Sequence, residues 1–215
     1  SKGIKNKNII PLSGKPLIAH SIQQALSLKK IDKVIVSTDN KKIASISKKF
    51  GAKIPFMRPT TLSTDKASEW KVWQHLVKFF KNKKDLPDII ISIPTTSPLR
   101  KVNDLNSAIL KFMKNKKSDI LITVTESIRN PYFNMVKVNK KGFVEVILNP
   151  KSKISNRQQA PKIFDVCTVA YVTTPEYILN NSHMFKGNVD YFEVKRRTSI
   201  DIDDKFDYEI VKKFF

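Results

Sequence analysis

The sequence predicts an α/β fold with a mainly parallel sheet, flanking helices and a small hairpin lobe. Strand-like and helix-like patterns alternate along most of the chain without repeats, which is typical of βαβ units around a parallel sheet. After Ser127 this alternation stops, and two strand-like runs joined by a turn predict a hairpin lobe at about 130–150. The length of 215 residues fits one domain over 1–215.

Local patterns define each element in the first half of the chain. Apolar residues at helical spacing predict the first helix, and Pro16 suits its first turn. Gly51 suits the end of the second helix, and a nearly continuous apolar run later predicts a strand buried on both faces. In order, we expect a helix over 16–29, a strand over 33–37, a helix over 41–50, a strand over 52–57, a helix over 67–81 and a strand over 88–93.

The second half begins with a helix signal and ends with another. Ser97 is placed as an N-cap and Pro98 as the first residue of a helix that runs to about 114. A turn at 139–142 joins the two hairpin strands. In order, we then expect a strand over 119–125, hairpin strands over 132–138 and 142–148, a strand over 167–173, a short helix from 175, a strand over 192–194 and a helix over 204–215.

Composition restricts the class of protein. Lys and Arg number 40 against 19 Asp and Glu, a net charge of +21, and such a surface attracts any polyanion. The excess is mostly scattered Lys, so two interpretations stay open: a solvated Lys-rich surface, or a nucleic-acid-binding face. The single cysteine, Cys167, excludes an intramolecular disulfide and fits a reducing compartment. Without an apolar run of roughly 18–20 residues, we expect a cytoplasmic protein that does not span a membrane.

Two polar segments in the first third of the chain could bind a nucleotide. The opening stretch 1–8 is rich in lysine and could wrap a triphosphate, although it lacks Walker spacing and could equally be a loose terminus. Arg58 and the stretch 63–68 follow a predicted strand, where open α/β sheets bind ligands. Capping of the next helix would explain the same residues.

Two later segments could bind anions or a metal. The stretch 95–100 lies at a predicted helix N-terminus that favours anions, although capping alone would explain it. Asp201 and Asp203 are two apart in an extended stretch, so they share one face while Ile200 and Ile202 face the core. This pair suits Mg²⁺ together with substrate phosphates, or it is a plain edge strand.

Six ordered motifs resemble one family, the acylneuraminate cytidylyltransferases, and they extend over essentially the whole chain. They are SKGIKNKN followed by GKPLI, VIVSTD, RPTTLSTDKAS, TSPLR, NRQQAP and SIDIDD. The resemblance implies a Rossmann-type nucleotidyltransferase domain that dimerises through the lobe at 130–150. It implies that CTP and a nonulosonic acid, a 2-keto-3-deoxy sugar acid, give the CMP-sugar and pyrophosphate with Mg²⁺.

The resemblance also implies roles for individual residues. Lys7, Asp201 and Asp203 would be catalytic, with the two aspartates binding the metal. The other matched positions are Ser1, Lys7 and Asn8 for the phosphates and ribose, Arg58, Ala67 and Ser68 for cytosine, Arg157 and Tyr171 for the sugar, and Met184 and Phe185 where a partner subunit reaches the sugar pocket.

The chain departs from the family pattern in two places. It begins inside the phosphate motif, from which we expect a fragment with weak or no activity. At Pro94, Asp165 and Cys167 this chain departs from the pattern of the sialic acid enzymes, and its sugar site is closer to the legionaminic acid branch. Which nonulosonic acid it uses stays open. A non-catalytic nucleotide-binding relative remains an alternative, and a basic nucleic-acid-binding module is a further one.

Overall fold

The computed structural model describes residues 3–64, 67–148 and 157–215 of the chain. Six helices and eight strands cover the elements that position the candidate site within these ranges. In chain order they are β1 (Pro11–Leu12), β2 (Lys15–Pro16), α1 (Leu17–Leu26), α2 (Lys41–Lys49), α3 (Glu69–Asn82), β3 (Ile90–Ser92), α4 (Val102–Lys114), β4 (Ile120–Glu126), β5 (Val136–Val138), β6 (Val144–Val146), β7 (Phe164–Thr173), α5 (Pro175–Asn180), β8 (Val189–Glu193) and α6 (Lys205–Phe214).

The central sheet has four strands in the order β3-β7-β4-β8. Strand β7 runs antiparallel to both of its neighbours, whereas β8 pairs with β4 in parallel. The α/β class is confirmed, but the sheet is mixed rather than mainly parallel. The physical reason is the hairpin lobe between β4 and β7: the chain returns without a crossover helix, which gives antiparallel pairing.

The predicted strands over 33–37 and 52–57 reduce to one parallel bridge between Ile35 and Lys53. The N–H of Val36 donates to the Lys53 carbonyl at 3.1 Å, and the N–H of Lys53 donates to the Val34 carbonyl at 2.8 Å. Strand β3 is half-buried, not buried on both faces as predicted, because it ends the sheet on one side.

Alternation along β4 divides the core between two faces of the sheet. Ile120 and Ile122 pack under α3 and α5, while Leu121 packs under α4, as a period of two requires. The helices contribute the opposite walls of these clusters, with Trp70, Trp73 and Val77 from α3 and Leu105, Ile109 and Phe112 from α4. Helices on both faces of a central sheet make this a three-layer α/β/α arrangement.

Helix ends follow the local signals, with one exception. The side chain of Asn40 accepts hydrogen bonds at the start of α2, and Gly51 takes a φ of 95° after its end, in the left-handed region that glycine adopts freely. Helix α4 begins at Val102 instead of Pro98. Ser97 does not cap it, because its hydroxyl is hydrogen-bonded to that of Thr168 at 2.6 Å.

The hairpin lobe forms as predicted, with β5 and β6 paired antiparallel from Val136 opposite Val146 to Val138 opposite Val144. All six strand residues are exposed. Elsewhere, the helices in the described ranges include none that is both long and apolar enough to cross a membrane.

Candidate active site

Lys7 joins the opening segment of the chain to its last loop. It begins the short 3-10 helix Lys7–Ile9, and its Nζ donates to the Ile202 carbonyl at 2.7 Å and lies 3.4 Å from Asp203 Oδ1. Gly3 permits the opening segment to approach the Asp203 backbone closely, because a Cβ at this position would overlap the carbonyl oxygen of Asp203. Two of the predicted catalytic residues are therefore in contact.

The loop that bears the two aspartates is extended but belongs to no strand of the described sheets. Ile202 is fully buried, and its N–H donates to the Thr96 carbonyl at 2.9 Å. The predicted inward orientation of Ile202 is thus confirmed, and the edge-strand interpretation is wrong. The N–H of Asp203 donates to Asp207 Oδ2 at 2.9 Å, which fixes the loop against the start of α6.

The two aspartates differ in their surroundings. Asp203 is exposed beside Lys7, whereas Asp201 Oδ1 is buried without a hydrogen-bond partner in the part of the chain that is described. A buried oxygen without a donor suits a cation, and Mg²⁺ takes one or two carboxylates plus substrate phosphates. Within the described ranges no group of three or more His, Cys, Asp or Glu converges for a metal. The donor set therefore fits Mg²⁺ bound together with phosphate oxygens.

Arg100 lies beneath this loop and is 3% exposed. Its Nη1 donates to Ser21 Oγ at 2.9 Å, and its Nη2 donates to the carbonyls of Pro94 and Thr168. Burial lowers the pKa of Arg100 to about 9, and the nearby Asp201 charge opposes that change. The sequence indicated Arg100 only as part of a predicted helix start. Its buried hydrogen bonds to Ser21, Pro94 and Thr168 instead hold the segment that precedes α4.

A cavity of about 490 Å³ lies between α1, α3 and the end of β3. Of the predicted nucleotide-binding residues, Asn8, Arg58 and Ala67 line it. The backbone N–H of Arg58 donates to the Thr38 carbonyl at 2.9 Å. Its side chain is held at the wall because Nε donates to Ser63 Oγ at 3.1 Å.

Another predicted nucleotide residue, Ser68, does not line this cavity. Ser68 caps α3, since its side chain accepts the Lys71 N–H at 3.3 Å, as the capping interpretation expected. Ser1 lies outside the described residues.

Two of the predicted sugar residues, Tyr171 and Met184, pack in the hydrophobic cluster formed with α3 and α5. Tyr171 is buried with its ring 5.6 Å from that of Trp73, and burial raises its pKa to about 12. Met184 packs against the same aromatic cluster, while the neighbouring Phe185 is 57% exposed. Arg157 begins the 3-10 helix Arg157–Gln159, and its side chain lies outside the described part of the structure.

Glu69 is a residue of this site that sequence reasoning missed. It lines the cavity as the first residue of α3, and burial raises the pKa of its carboxyl group while Trp73 and Ser92 oppose that rise. The available signal was its position directly after Ala67 and Ser68 in the cytosine-reading motif.

Comparisons with known proteins extend along the whole chain. A family profile described as Cytidylyltransferase matches residues 1–212. A CMP-N,N'-diacetyllegionaminic acid synthase of Campylobacter jejuni is 33% identical over 213 residues, covering 99% of this chain and 89% of that protein. A pseudaminic acid cytidylyltransferase of Campylobacter jejuni is 32% identical over 212 residues, covering 99% and 90%. The solved structure of a CMP:2-keto-3-deoxy-manno-octonic acid synthetase complexed with CTP has a TM-score of 0.73 at 18% identity, covers 100% of this chain and 93% of its own, and shows a shared fold.

Proposed function

The chain belongs to the cytidylyltransferase family, and on that premise we propose that it transfers CMP from CTP to a nonulosonic acid and releases pyrophosphate. The observation that supports this most directly is the contact of Lys7 with the loop that bears Asp201 and Asp203, beside a cavity lined by Asn8 and Arg58. Relatives that act on legionaminic and pseudaminic acids match nearly the whole chain.

Transfer of the nucleotidyl group requires positioning and charge neutralisation more than covalent help from the protein. A hydroxyl of the sugar acid attacks the α-phosphorus while pyrophosphate leaves on the opposite side. Lys7 is suited to neutralise phosphate charge, because its ammonium group is anchored by the Ile202 carbonyl and directed at the loop. Arg58 and Ala67 would hold the base at the cavity wall.

We propose that Asp201 and Asp203 hold Mg²⁺ when CTP is bound. The metal would supply further neutralisation of the phosphate oxygens. The chain's own contribution is the orientation of the two carboxylates, since Ile202 between them is buried and hydrogen-bonded to Thr96. The charge of Asp201 in turn opposes the lowering of the Arg100 pKa by burial in the protein interior.

The sugar acid would bind at the α3 side of the sheet, near Tyr171, Met184 and Arg157. We propose a homodimer through the hairpin lobe, where the exposed face includes Phe143 at 70% exposure. An apolar face of this kind is typical of an interface. Phe185, exposed beside Met184, would then reach the partner's sugar pocket. Reaction in the cytoplasm would keep the buried Cys167 reduced.

The test is pyrophosphate release by the purified protein with CTP, Mg²⁺ and a panel of three acids: N,N'-diacetyllegionaminic, pseudaminic and N-acetylneuraminic acid. We expect release only when CTP and one of the acids are both present. Equal turnover with ATP or GTP would contradict the cytidylyl assignment. Binding of CTP without turnover for any acid would favour a non-catalytic relative, and steep salt-dependent retention of duplex DNA would favour a nucleic-acid-binding module.

A further inference from the structure

The pairing of β4 with β7 is interrupted by a bulge close to the candidate active site. Thr123 of β4 alone stands opposite the stretch 167–170 of β7, where the register shifts. Thr123 is buried, and its hydroxyl donates to the Cys167 carbonyl at 2.9 Å and accepts the Ala170 N–H at 3.0 Å. Bulges are frequent beside active sites, where they redirect a side chain out of the regular alternation of the strand. These two hydrogen bonds give the bulge a fixed shape.

Thr168 lies within this bulge and contacts the segment that follows β3. Its hydroxyl is hydrogen-bonded to that of the fully buried Ser97 at 2.6 Å, and its carbonyl accepts from Arg100 Nη2 at 3.4 Å. The same guanidinium nitrogen also donates to the Pro94 carbonyl. The stretch 94–97 is therefore fastened to β7 at both of its ends.

The middle of this stretch fixes the loop that bears the two aspartates. Thr96 accepts the Ile202 N–H at 2.9 Å, and the Ile202 carbonyl accepts from Lys7 Nζ at 2.7 Å. A shift of Thr96 would move the backbone to which both aspartates and the lysine are fastened. Neither Ser97 nor Thr168 lines the cavity, so the hydroxyl pair acts on the site only through other residues.

We propose that Thr168 is a positioning residue, which through Ser97 and Thr96 fixes Ile202 and thereby orients the aspartate carboxylates and the Lys7 ammonium group. This inference rests on the proposed function. Nucleotidyl transfer depends mainly on the placement of charged groups, and a displacement of about 1 Å can lower a rate roughly 10²-fold. A hydroxyl that contacts no substrate can therefore alter the rate.

The experiment compares Thr168→Val, which removes the hydroxyl but nearly keeps the shape, with the wild-type protein. The matched control is Thr173→Val on the same strand. Thr173 is buried and donates its hydroxyl to the Asp119 carbonyl at 2.8 Å, and it pairs with Ile90, the first residue of β3, at the end of the sheet away from the site.

Two kinds of readout separate positioning from general stability. Pyrophosphate release gives kcat, the KM of CTP and of the best panel acid, and the Mg²⁺ concentration for half-maximal rate. Hydrogen exchange of the Ile202 amide, followed by NMR in the substrate-free protein, reports the bond from Ile202 to Thr96 without any turnover. Thermal melting shows how much stability each variant loses.

We expect Thr168→Val to lower kcat about tenfold and to raise the half-maximal Mg²⁺ concentration about threefold, with the KM of the acid within about twofold of wild type. The Ile202 amide should exchange about tenfold faster. Thr173→Val should melt at a similarly lowered temperature, yet leave the kinetic constants and the Ile202 exchange near wild type. Thr168→Ser keeps the hydroxyl and should restore most of kcat.

Ser97→Ala removes the other member of the hydroxyl pair. If the two residues act through their shared hydrogen bond, the double variant should lose no more activity than either single variant. Losses of kcat that multiply in the double variant would show that Ser97 and Thr168 act separately, against the proposal. If Thr168→Val does not fold, the Ile202 exchange of Ser97→Ala decides the same question.

Two further results would overturn the proposal. Unchanged exchange of the Ile202 amide in folded Thr168→Val would show that the bulge does not hold the aspartate loop. Equal changes in Thr173→Val would mean that Thr168 contributes only to stability. Failure of the wild-type protein to release pyrophosphate with any acid would contradict the proposed function instead, and the Ile202 exchange would still show whether Thr168 positions the loop.

Discussion

The ammonium group of Lys7 lies 3.4 Å from Asp203 Oδ1, although the two residues are 196 positions apart in the chain. The shorter contact of Lys7 is with the neutral Ile202 carbonyl at 2.7 Å. The carbonyl therefore anchors the lysine, and the longer contact with Asp203 neutralises its positive charge only in part. An anchored cation beside an exposed carboxylate suits a ligand that bears phosphates and a metal, because each protein group then has an opposite charge to meet.

Substitution of Lys7 by Met tests its role toward the phosphates. A hydrogen bond to a charged group contributes about 1.5–3 kcal/mol, so kcat/KM for CTP should fall roughly tenfold to hundredfold. Initial-rate measurements of pyrophosphate release check this. The control is Lys5→Met, which removes an equal charge from the same exposed segment and should change kcat/KM less than threefold. An equal loss of kcat/KM in both variants would mean that Lys7 acts only through the overall positive charge of the surface.

Asp203→Asn and Asp201→Asn should each lower kcat by roughly 10²-fold or more if the carboxylates hold Mg²⁺ against the phosphates. Asn keeps a ligand oxygen but removes the charge, so raised Mg²⁺ should restore part of the rate. The Mg²⁺ concentration for half-maximal activity is the decisive quantity, and the exposed Asp32→Asn serves as a control. Wild-type metal dependence in both variants would remove the pair from the mechanism.

Arg100 and Asp201 should be energetically coupled even without metal. Loss of one member of a buried charged pair costs about 3–5 kcal/mol, and since Asp201 keeps partial solvent contact we expect Arg100→Met to lower the free energy of unfolding by about 2–3 kcal/mol. In an Asp201→Asn background the same change should cost less, which urea unfolding of the metal-free proteins would measure. Strictly additive losses would show that the two groups do not interact.

Sequence reasoning identified most elements because their signals are local. Asp204 and Asp207 form a capping box at α6, and Asn40 caps α2, as composition at those positions suggests. Predictions went wrong where a distant partner overrode a local preference. Ser97 has the residue type of an N-cap, yet Thr168, which is 71 positions away, takes its hydroxyl.

The candidate site divides in the same way. The inward orientation of Ile202 could be predicted because successive side chains of an extended chain point to opposite sides, and the apolar residue between two aspartates is the one to be buried. The surroundings of Asp201 could not be predicted, because Arg100, whose charge interacts with that of Asp201, is distant from it in the sequence. Glu69 was missed because the cavity that it lines is formed by elements that are distant in the sequence, such as α1 and β3.

The hairpin lobe should form the dimer interface through its apolar face. Phe143→Lys places a charge where an exposed aromatic ring would be buried against a partner, so the mass from light scattering at micromolar concentration should fall from dimer to monomer. Phe206→Lys is a matched control, because that ring is 72% exposed at the start of α6, away from the hairpin. A wild-type protein that is monomeric at this concentration would contradict the interface.

Glu69 should also leave a signature in the pH dependence of stability. Burial raises the pKa of its carboxyl above the ordinary value of 4.5, so the folded state binds its proton more tightly than the unfolded state. The contribution of this group to the free energy of unfolding is therefore full below pH 4.5 and is lost as the pH rises through the folded-state pKa. Glu69→Gln removes the titrating group but keeps the shape of the side chain and one of its oxygens. In urea unfolding without substrate, the variant should become progressively more stable relative to wild type as the pH rises above 4.5. A stability difference that does not change with pH would mean that the carboxyl is fully hydrated in the folded state and that its surroundings do not alter its proton affinity.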